Sequence, residues 1–264
     1  MRKFLLALAI VAGILLAKTL FYYRGFYAPP EQGVHSLDIT IAMQPAKGLA
    51  DSYNRTAAKV VLDLAHSNRL SSAELTPLLS RLAARGARLE LLKSRERLGP
   101  ALENASGIII GLPGEAWSDS ELEELANFSG KIVLIADPER PSEVNSVGLA
   151  FGLIAAPGYV YDMLDNDGNF RWPVLREFSK DDLTVGLKAL TVYGACAAQP
   201  EEAALASTAR TGQNTGSERG ANWPVIAKKE RVALICDLNF MTQPYAEYAD
   251  NSRFIANLAD WLVH

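Results

Sequence analysis

Histidine and cysteine are scarce in this chain, at three and two in 264 residues. Three histidines, His35, His66 and His264, cannot build a His-rich metal centre. The two cysteines, Cys196 and Cys236, form no C-x-x-C pair, so a metal–thiolate site is not expected. Positive charge is in deficit, with 26 Lys and Arg against 30 Asp and Glu and a net charge of -4. A basic nucleic-acid footprint is therefore absent. Neither G-x-S-x-G nor G-x-C-x-G occurs, and Cys196 sits in Gly194-Ala195-Cys196-Ala197-Ala198 without the second glycine of an elbow. Glycine-rich phosphate loops of the dinucleotide or P-loop kind are missing as well, so no cofactor is expected.

One long apolar run is present, and it lies at the N-terminus. Arg2 and Lys3 precede Phe4 to Ala17. That stretch spans only about 21 Å as a helix, which suits the apolar core of a signal peptide. Continued through Lys18 and Thr19 to Tyr23, it reaches roughly 30 Å, the thickness of the hydrocarbon layer. Lys18 then snorkels to the headgroups, and Phe21, Tyr22, Tyr23, Phe26 and Tyr27 form an interfacial belt. A cleaved signal and an uncleaved anchor both stay open. The anchor is favoured because no A-x-A site follows the run; Ala7-Leu8-Ala9 lies inside it. The expected partner of residues 4–23 is thus a lipid bilayer. Arg2, Lys3 and the amino terminus slightly outweigh Lys18 and Arg24. That balance orients a single-pass protein with its N-terminus cytoplasmic and its domain outside. Residues 1–27 are read as the anchor and 28–56 as linker and lead-in, opening with the stiff Ala28-Pro29-Pro30. Residues 57–264 are read as one α/β domain.

Within that domain strand-like and helix-like patterns alternate. Lys59 to Ala65, Arg88 to Leu92, Gly107 to Gly111, Lys131 to Ala136 and Arg231 to Cys236 are short apolar runs suited to strands buried on both faces. Ser71-Ser72-Ala73-Glu74 and Ser118-Asp119-Ser120-Glu121 are capping boxes that start helices. Pro77 is expected to disturb the first turns of the earlier one. A helix is expected from Ser142 to Phe151, a strand near Leu190 to Cys196, an exposed loop over 208–222, and a final helix capped by Asp250 or Asn251. Such alternation predicts a doubly wound, mostly parallel sheet.

In sheets of this kind ligands bind beyond the carboxyl ends of the strands. Those ends deliver Asp63, His66 and Asn68; Asp137 and Arg140; and Asp237, Asn239 and Asn251. If Asp63, His66, Asp137 and Asp237 share one crevice, it holds a small polar ligand or a protein partner. A carboxylate-rich cation site is a further alternative. The simpler reading of each Asp and Asn is a turn or a cap. His66 is the one candidate general base, oriented by Asp63 or Asp237, for a hydrolase or transferase. Asp165-Asn166-Asp167-Gly168-Asn169 opens like a calcium loop, but Phe170 stands where glycine is needed and Glu177 falls one position late, so a turn is expected. In an extracytoplasmic domain a Cys196–Cys236 disulfide is open, although spacing alone cannot set the Cα distance.

Several of these segments resemble one family. Val61-Leu62-Asp63-Leu64-Ala65-His66-Ser67-Asn68, Ile132 to Pro138 followed by Asn145-Ser146 and Phe151-Gly152, Asn166 to Arg171, and Cys236 to Met241 with Asp250-Asn251 resemble, in order, the membrane-anchored proteins called domain of unknown function 4350. The resemblance implies a flavodoxin-like, class I glutamine amidotransferase-like domain with a degenerate site, and adds Asn145 to the candidate ligand residues. This chain lacks the amidotransferase cysteine elbow and its His-x-Glu pair, so that activity is not expected. The reading that results is a membrane-tethered, non-catalytic binding or scaffold domain, accessory to a transport or envelope assembly.

Overall fold

The computed structural model describes residues 2–23, 53, 55–217 and 220–264. The chain divides into two units, Met1–His35 and Ser36–His264. In the first, Arg2–Tyr23 form one helix, α1, of 22 residues. Apolar side chains occupy all its sides, and Phe4, Leu8, Val11 and Leu15 are exposed. The side chains from Lys18 onward lie outside the described set, as do Phe26, Tyr27 and all of the expected linker except Tyr53, Arg55 and Thr56. Among the described residues no helix is long and apolar enough to cross a membrane. The fourteen residues from Phe4 to Ala17 reach about 21 Å, short of a ~30 Å hydrocarbon layer.

The second unit is built on an eight-stranded sheet. Its strands in chain order are β1 (Lys59–Asp63), β2 (Arg88–Leu92), β3 (Gly107–Gly111), β4 (Lys131–Ile135), β5 (Glu177–Phe178), β6 (Ala204–Ser207), β7 (Pro224–Lys229) and β8 (Val232–Ile235). Across the sheet they lie in the order β2-β1-β3-β4-β8-β7-β6-β5. The first five are parallel, with Val61 beside Ile108, Ile108 beside Ile132 and Val133 beside Ala233. Val60, Leu62, Ile109, Val133 and Leu234 are buried on one face or the other, as continuous apolar runs require. The remaining three strands add antiparallel. The sheet is thus mostly parallel, as expected, and carries an antiparallel extension of three strands that sequence patterning does not foresee. The expected strand from Leu190 to Cys196 shrinks to Leu190–Thr191. It pairs with Val174–Leu175 in one of three small antiparallel ribbons.

The helices start where the capping boxes place them. In α2 (Ser72–Ala84) the Ser71 side chain accepts from the Glu74 N–H while the Glu74 carboxylate reaches back to the Ser71 N–H. Pro77 is accommodated inside this helix. After α3 (Leu98–Leu102), α4 (Asp119–Asn127) repeats the same box with Ser118 and Glu121. The helix expected from Ser142 to Phe151 is shorter: α5 covers Val144–Gly148 and continues as a 3-10 turn to Phe151. The final helix, α6 (Asn251–Val263), follows Asp250, whose side chain does not cap it. Instead the Asp250 Oδ2 accepts the N–H groups of Lys188 and Ala189.

The path from β1 to β2 steps one way across the sheet, and that from β2 to β3 steps the other. Right-handed crossovers then put α2 on one face and α3 and α4 on the other. Accordingly α2 packs with α6, and α3 packs with α4. Arg85, at the end of α2, is completely buried. Its Nε and Nη2 donate to the two oxygens of Asp260 at 2.6 and 2.8 Å, and further donors reach the Arg81 and Ala256 carbonyls. One guanidinium thus ties α2 to α6. Arg85→Ala leaves a hole and strands Asp260, which is partly solvated. Chemical denaturation should show a loss of roughly 2–3 kcal/mol, less than for a fully buried pair.

Candidate functional site

The reversal of strand order between β1 and β3 is the place where a sheet of this topology opens a crevice at its carboxyl edge. Asp63 ends β1, and the chain turns sharply there. Both oxygens of the Asp63 carboxylate face His66 Nδ1, at 2.9 and 3.1 Å. Oδ1 also accepts the Ala65 N–H, an Asx turn that bends the loop back. Asn68 Nδ2 donates to Asp63 Oδ2 and to the Gly111 carbonyl at the end of β3. His66 Nε2 meets Glu121 Oε1 at 3.1 Å, from the first turn of α4. The ring stacks on Trp117 with centroids 4.0 Å apart and planes 10° from parallel.

This arrangement leaves His66 no free edge. Each ring nitrogen faces a carboxylate, and the whole residue is 0% exposed. Both contacts become hydrogen bonds when the ring carries two N–H groups or one of the acids keeps its proton. Burial works to raise the Glu121 carboxyl. Hydrogen bonds from Ser118 and the neighbouring His66 outweigh it and hold Glu121 below its usual value. The loops after β1 and β3 close over the cluster, with the Gly114 and Glu115 N–H groups donating to the His66 carbonyl. A Cβ on Gly114 would stand 2.7 Å from the Ser67 carbonyl oxygen, so only glycine allows that approach. Trp117 Nε1 alone in this cluster lacks a hydrogen-bond partner. The crevice is filled by the protein's own side chains.

Two further clusters sit along the same edge. At the end of β4, Asp137 Oδ1 accepts the Glu139 N–H, and Oδ2 accepts from Arg140 Nη2 at 2.7 Å. Arg140 also pairs with Glu74, so the glutamate of the α2 capping box is shared between its helix and this loop. Asp137, Arg140, Asn145, Gly158 and Cys196 line a cleft of about 350 Å³. Asn145 does not turn its amide to a ligand: it clamps both polar backbone groups of Ala155. At the end of β8, Asp237 is completely buried and accepts the N–H groups of Tyr193 at 2.6 Å and Asn239 at 2.7 Å. Asn239 in turn donates to the Tyr193 carbonyl. Asn251 is buried against the backbone of Thr191 and Tyr245.

The four residues expected in one crevice are therefore split. Asp63 and His66 meet, as a base and its orienting acid must. Asp237 makes its hydrogen bonds to the Tyr193 and Asn239 backbone, and Asp137 pairs with Arg140. Asn251 and Asn145 are backbone clamps, as the turn-and-cap reading of such residues has it. Glu121 and Trp117 belong to the His66 cluster and were not among the candidates. Glu121 was legible only as a helix cap, since nothing local in the sequence shows that its second oxygen is free for a residue 55 positions away. In the 162–172 loop it is Asp162 that organises the chain, accepting the Leu164 and Asp165 N–H groups and the Thr211 hydroxyl. Among the described residues no group of three His, Cys, Asp or Glu side chains is arranged to hold a metal ion. The loop expected to be exposed over 208–222 is anchored at Thr208 and Asn214, both buried.

No family model matches this chain, and no curated protein matches it. Solved structures do. The N-terminal domain of mmIFT52 superposes with a TM-score of 0.64 at 14% identity, over 78% of this chain and 97% of that one. A putative ThuA-like protein from Bacteroides uniformis gives 0.48 at 11% identity, over 82% of this chain and 96% of that one. The first likeness shows a shared α/β fold.

Asp237 sets a pH dependence. Burial raises its carboxyl, the Tyr193 and Asn239 N–H groups oppose that, the Asp137 charge adds to it, and the result is about 7. The folded state then holds this proton more tightly than the unfolded chain. The stability it contributes is full below about pH 4 and is lost as pH rises through about 7. Urea unfolding at pH 5.5 and 8 should show the domain weaker at the higher pH by on the order of a few kcal/mol, and Asp237→Asn should flatten the difference.

Proposed function

We propose that this chain is a non-catalytic binding or scaffold domain, held at a membrane by α1 and accessory to a transport or envelope assembly. One observation carries the non-catalytic reading: His66, the one histidine among the described residues at the strand ends, is sealed, with both ring nitrogens against carboxylates and one face against Trp117. A general base must present a nitrogen to a substrate proton within hydrogen-bond reach. Here neither nitrogen is available. The strand order 2-1-3-4 followed by the final parallel strand agrees with the flavodoxin-like, amidotransferase-like architecture that the resemblance to domain of unknown function 4350 implies. A switch point plugged by side chains suits a degenerate member of such a family.

The surface supports a protein partner. Met163, Leu164 and Phe170 are exposed on the loop that Asp162 organises. Apolar side chains held outward on an ordered loop favour a protein over a small polar ligand. The anchor reading rests on α1, which opens with Arg2 and Lys3 and whose apolar run from Phe4 covers all its sides, with the apolar character resuming in sequence after Lys18 and Thr19 as far as Tyr23.

The alternative, a hydrolase or transferase with His66 as base and Asp63 orienting it, draws on the 2.9 Å contact between them. The two readings separate on one variant. His66→Ala should destabilise the domain by roughly 3–5 kcal/mol, because it opens a cavity and leaves two carboxylates without their shared partner. The purified wild-type chain should show no hydrolysis across a panel of ester, amide and phosphoester substrates. Robust turnover that disappears in a folded His66→Ala protein would overturn the proposal in favour of the enzyme.

The tether has its own test. Expressed in a bacterial host, the full chain should sediment with membranes and resist carbonate extraction, while a version starting at residue 28 should be released. Full-length protein recovered in the soluble fraction would refute the anchor.

A further inference from the structure

We propose that Cys196 and Cys236 close a disulfide within the folded domain, and that Cys196 reacts first through the cleft at the end of β4. They are the only cysteines in the chain. Both are free and buried, and they are neighbours. The Cys196 N–H donates to the Cys236 carbonyl at 2.9 Å. The two side chains are close enough that the Cys196 thiol adds to the upward push on the Cys236 thiol. A single backbone N–H···O=C bond of this length keeps the two Cα atoms on the order of 5–6.5 Å apart, inside the ~4.4–6.8 Å range that a disulfide spans without moving the chain. Forty positions separate the residues in sequence, and the fold alone brings the sulfurs together.

The order of reaction follows from access. Cys196 lines the cleft of about 350 Å³ beside Asp137 and Gly158. Cys236 lies behind it at 0% exposure. Burial pushes the Cys236 thiol well above its ordinary value, and the adjoining Cys196 and Asp237 add to that. The thiolate is the nucleophile in thiol–disulfide exchange, so Cys236 is the poorer first attacker. A low-molecular-weight disulfide such as glutathione disulfide supplies the oxidant. Cys196 loses its proton to solvent, and its thiolate attacks one sulfur of the reagent. A mixed disulfide forms, and one glutathione thiolate departs and takes up a proton. Cys236 then loses its proton and attacks the Cys196 sulfur, and the second glutathione leaves in the same way. Two protein thiols are oxidised and one reagent disulfide is reduced to two thiols. The bond formed ties the segment around Tyr193 to the end of β8, one residue before Asp237, where the Tyr193 N–H already docks.

Mass spectrometry on the full chain tests both parts. The native protein is incubated with excess glutathione disulfide, then denatured, alkylated and digested. The expected product is an intramolecular Cys196–Cys236 cross-link lighter by two hydrogens, with no alkylation at either position. Cys236→Ser should accumulate glutathione on Cys196. Cys196→Ser should leave Cys236 unmodified until the protein is denatured. A wild-type chain that stays fully alkylatable after oxidation, or that yields only intermolecular dimers, would overturn the disulfide. Glutathione on Cys236 in the folded Cys196→Ser protein would overturn the order. The wild-type measurement stands even if a serine variant fails to fold.

Discussion

A buried histidine held between two carboxylates is the contact around which the parallel half of this domain is organised. Asp63 belongs to the end of β1, Glu121 to the first turn of α4, and His66 to the loop between them in space. Each of these groups is costly to bury alone, since an unpaired charge in a low-dielectric interior loses its hydration without return. Together they satisfy one another, and they are satisfied only if strand, loop and helix terminus are all in place. The cluster therefore acts as a geometric check on the switch point. Asn68, donating to both Asp63 and the Gly111 carbonyl, extends the same check to β3.

Closure fills the strand-end crevice. Where a sheet with this strand order would offer a ligand an open crevice, the loops after β1 and β3 meet over His66 and Trp117. The polar chemistry of the site is spent on the fold. The capping-box glutamates show how economically this is done. Glu121 gives one oxygen to the Ser118 N–H and the other to His66. Glu74 gives one to the Ser71 N–H and the other to Arg140. A carboxylate has lone pairs enough for both, so a helix start and a loop contact share a single side chain. Farther along the edge, Asp237 and the two cysteines occupy the seam where the parallel half passes into the antiparallel extension. There the segment around Tyr193 leans on the end of β8, and the remaining cleft is bounded by Asp137 and Cys196.

Legibility in the sequence follows the range of the interaction. The five parallel strands could be read because a strand buried on both faces is a local apolar run: Gly107 to Gly111 announces itself without knowledge of its neighbours. The two capping boxes could be read because donor and acceptor lie three residues apart. The antiparallel strands β5 and β6 could not. Glu177–Phe178 is two residues long, and Ala204–Ser207 has small side chains with little period, so their pairing is decided by what they meet. Arg85 was invisible for a related reason. An arginine near a helix end normally faces water, and only the approach of Asp260, 175 positions later, makes its burial tolerable.

The candidate site divides along the same line. That Asp63, His66 and Asn68 form one turn, that the chain carries no nucleophile elbow or phosphate loop, and that an apolar helix precedes the domain are matters of residue type and near-neighbour spacing. The sequence alone determined them. Which carboxylates face His66, that Asp137 and Asp237 bond elsewhere, and that Cys196 and Cys236 touch were decided by tertiary structure. Each depends on the order in which strands lie side by side. Backbone hydrogen bonding sets that order over tens of residues, and no local pattern encodes it.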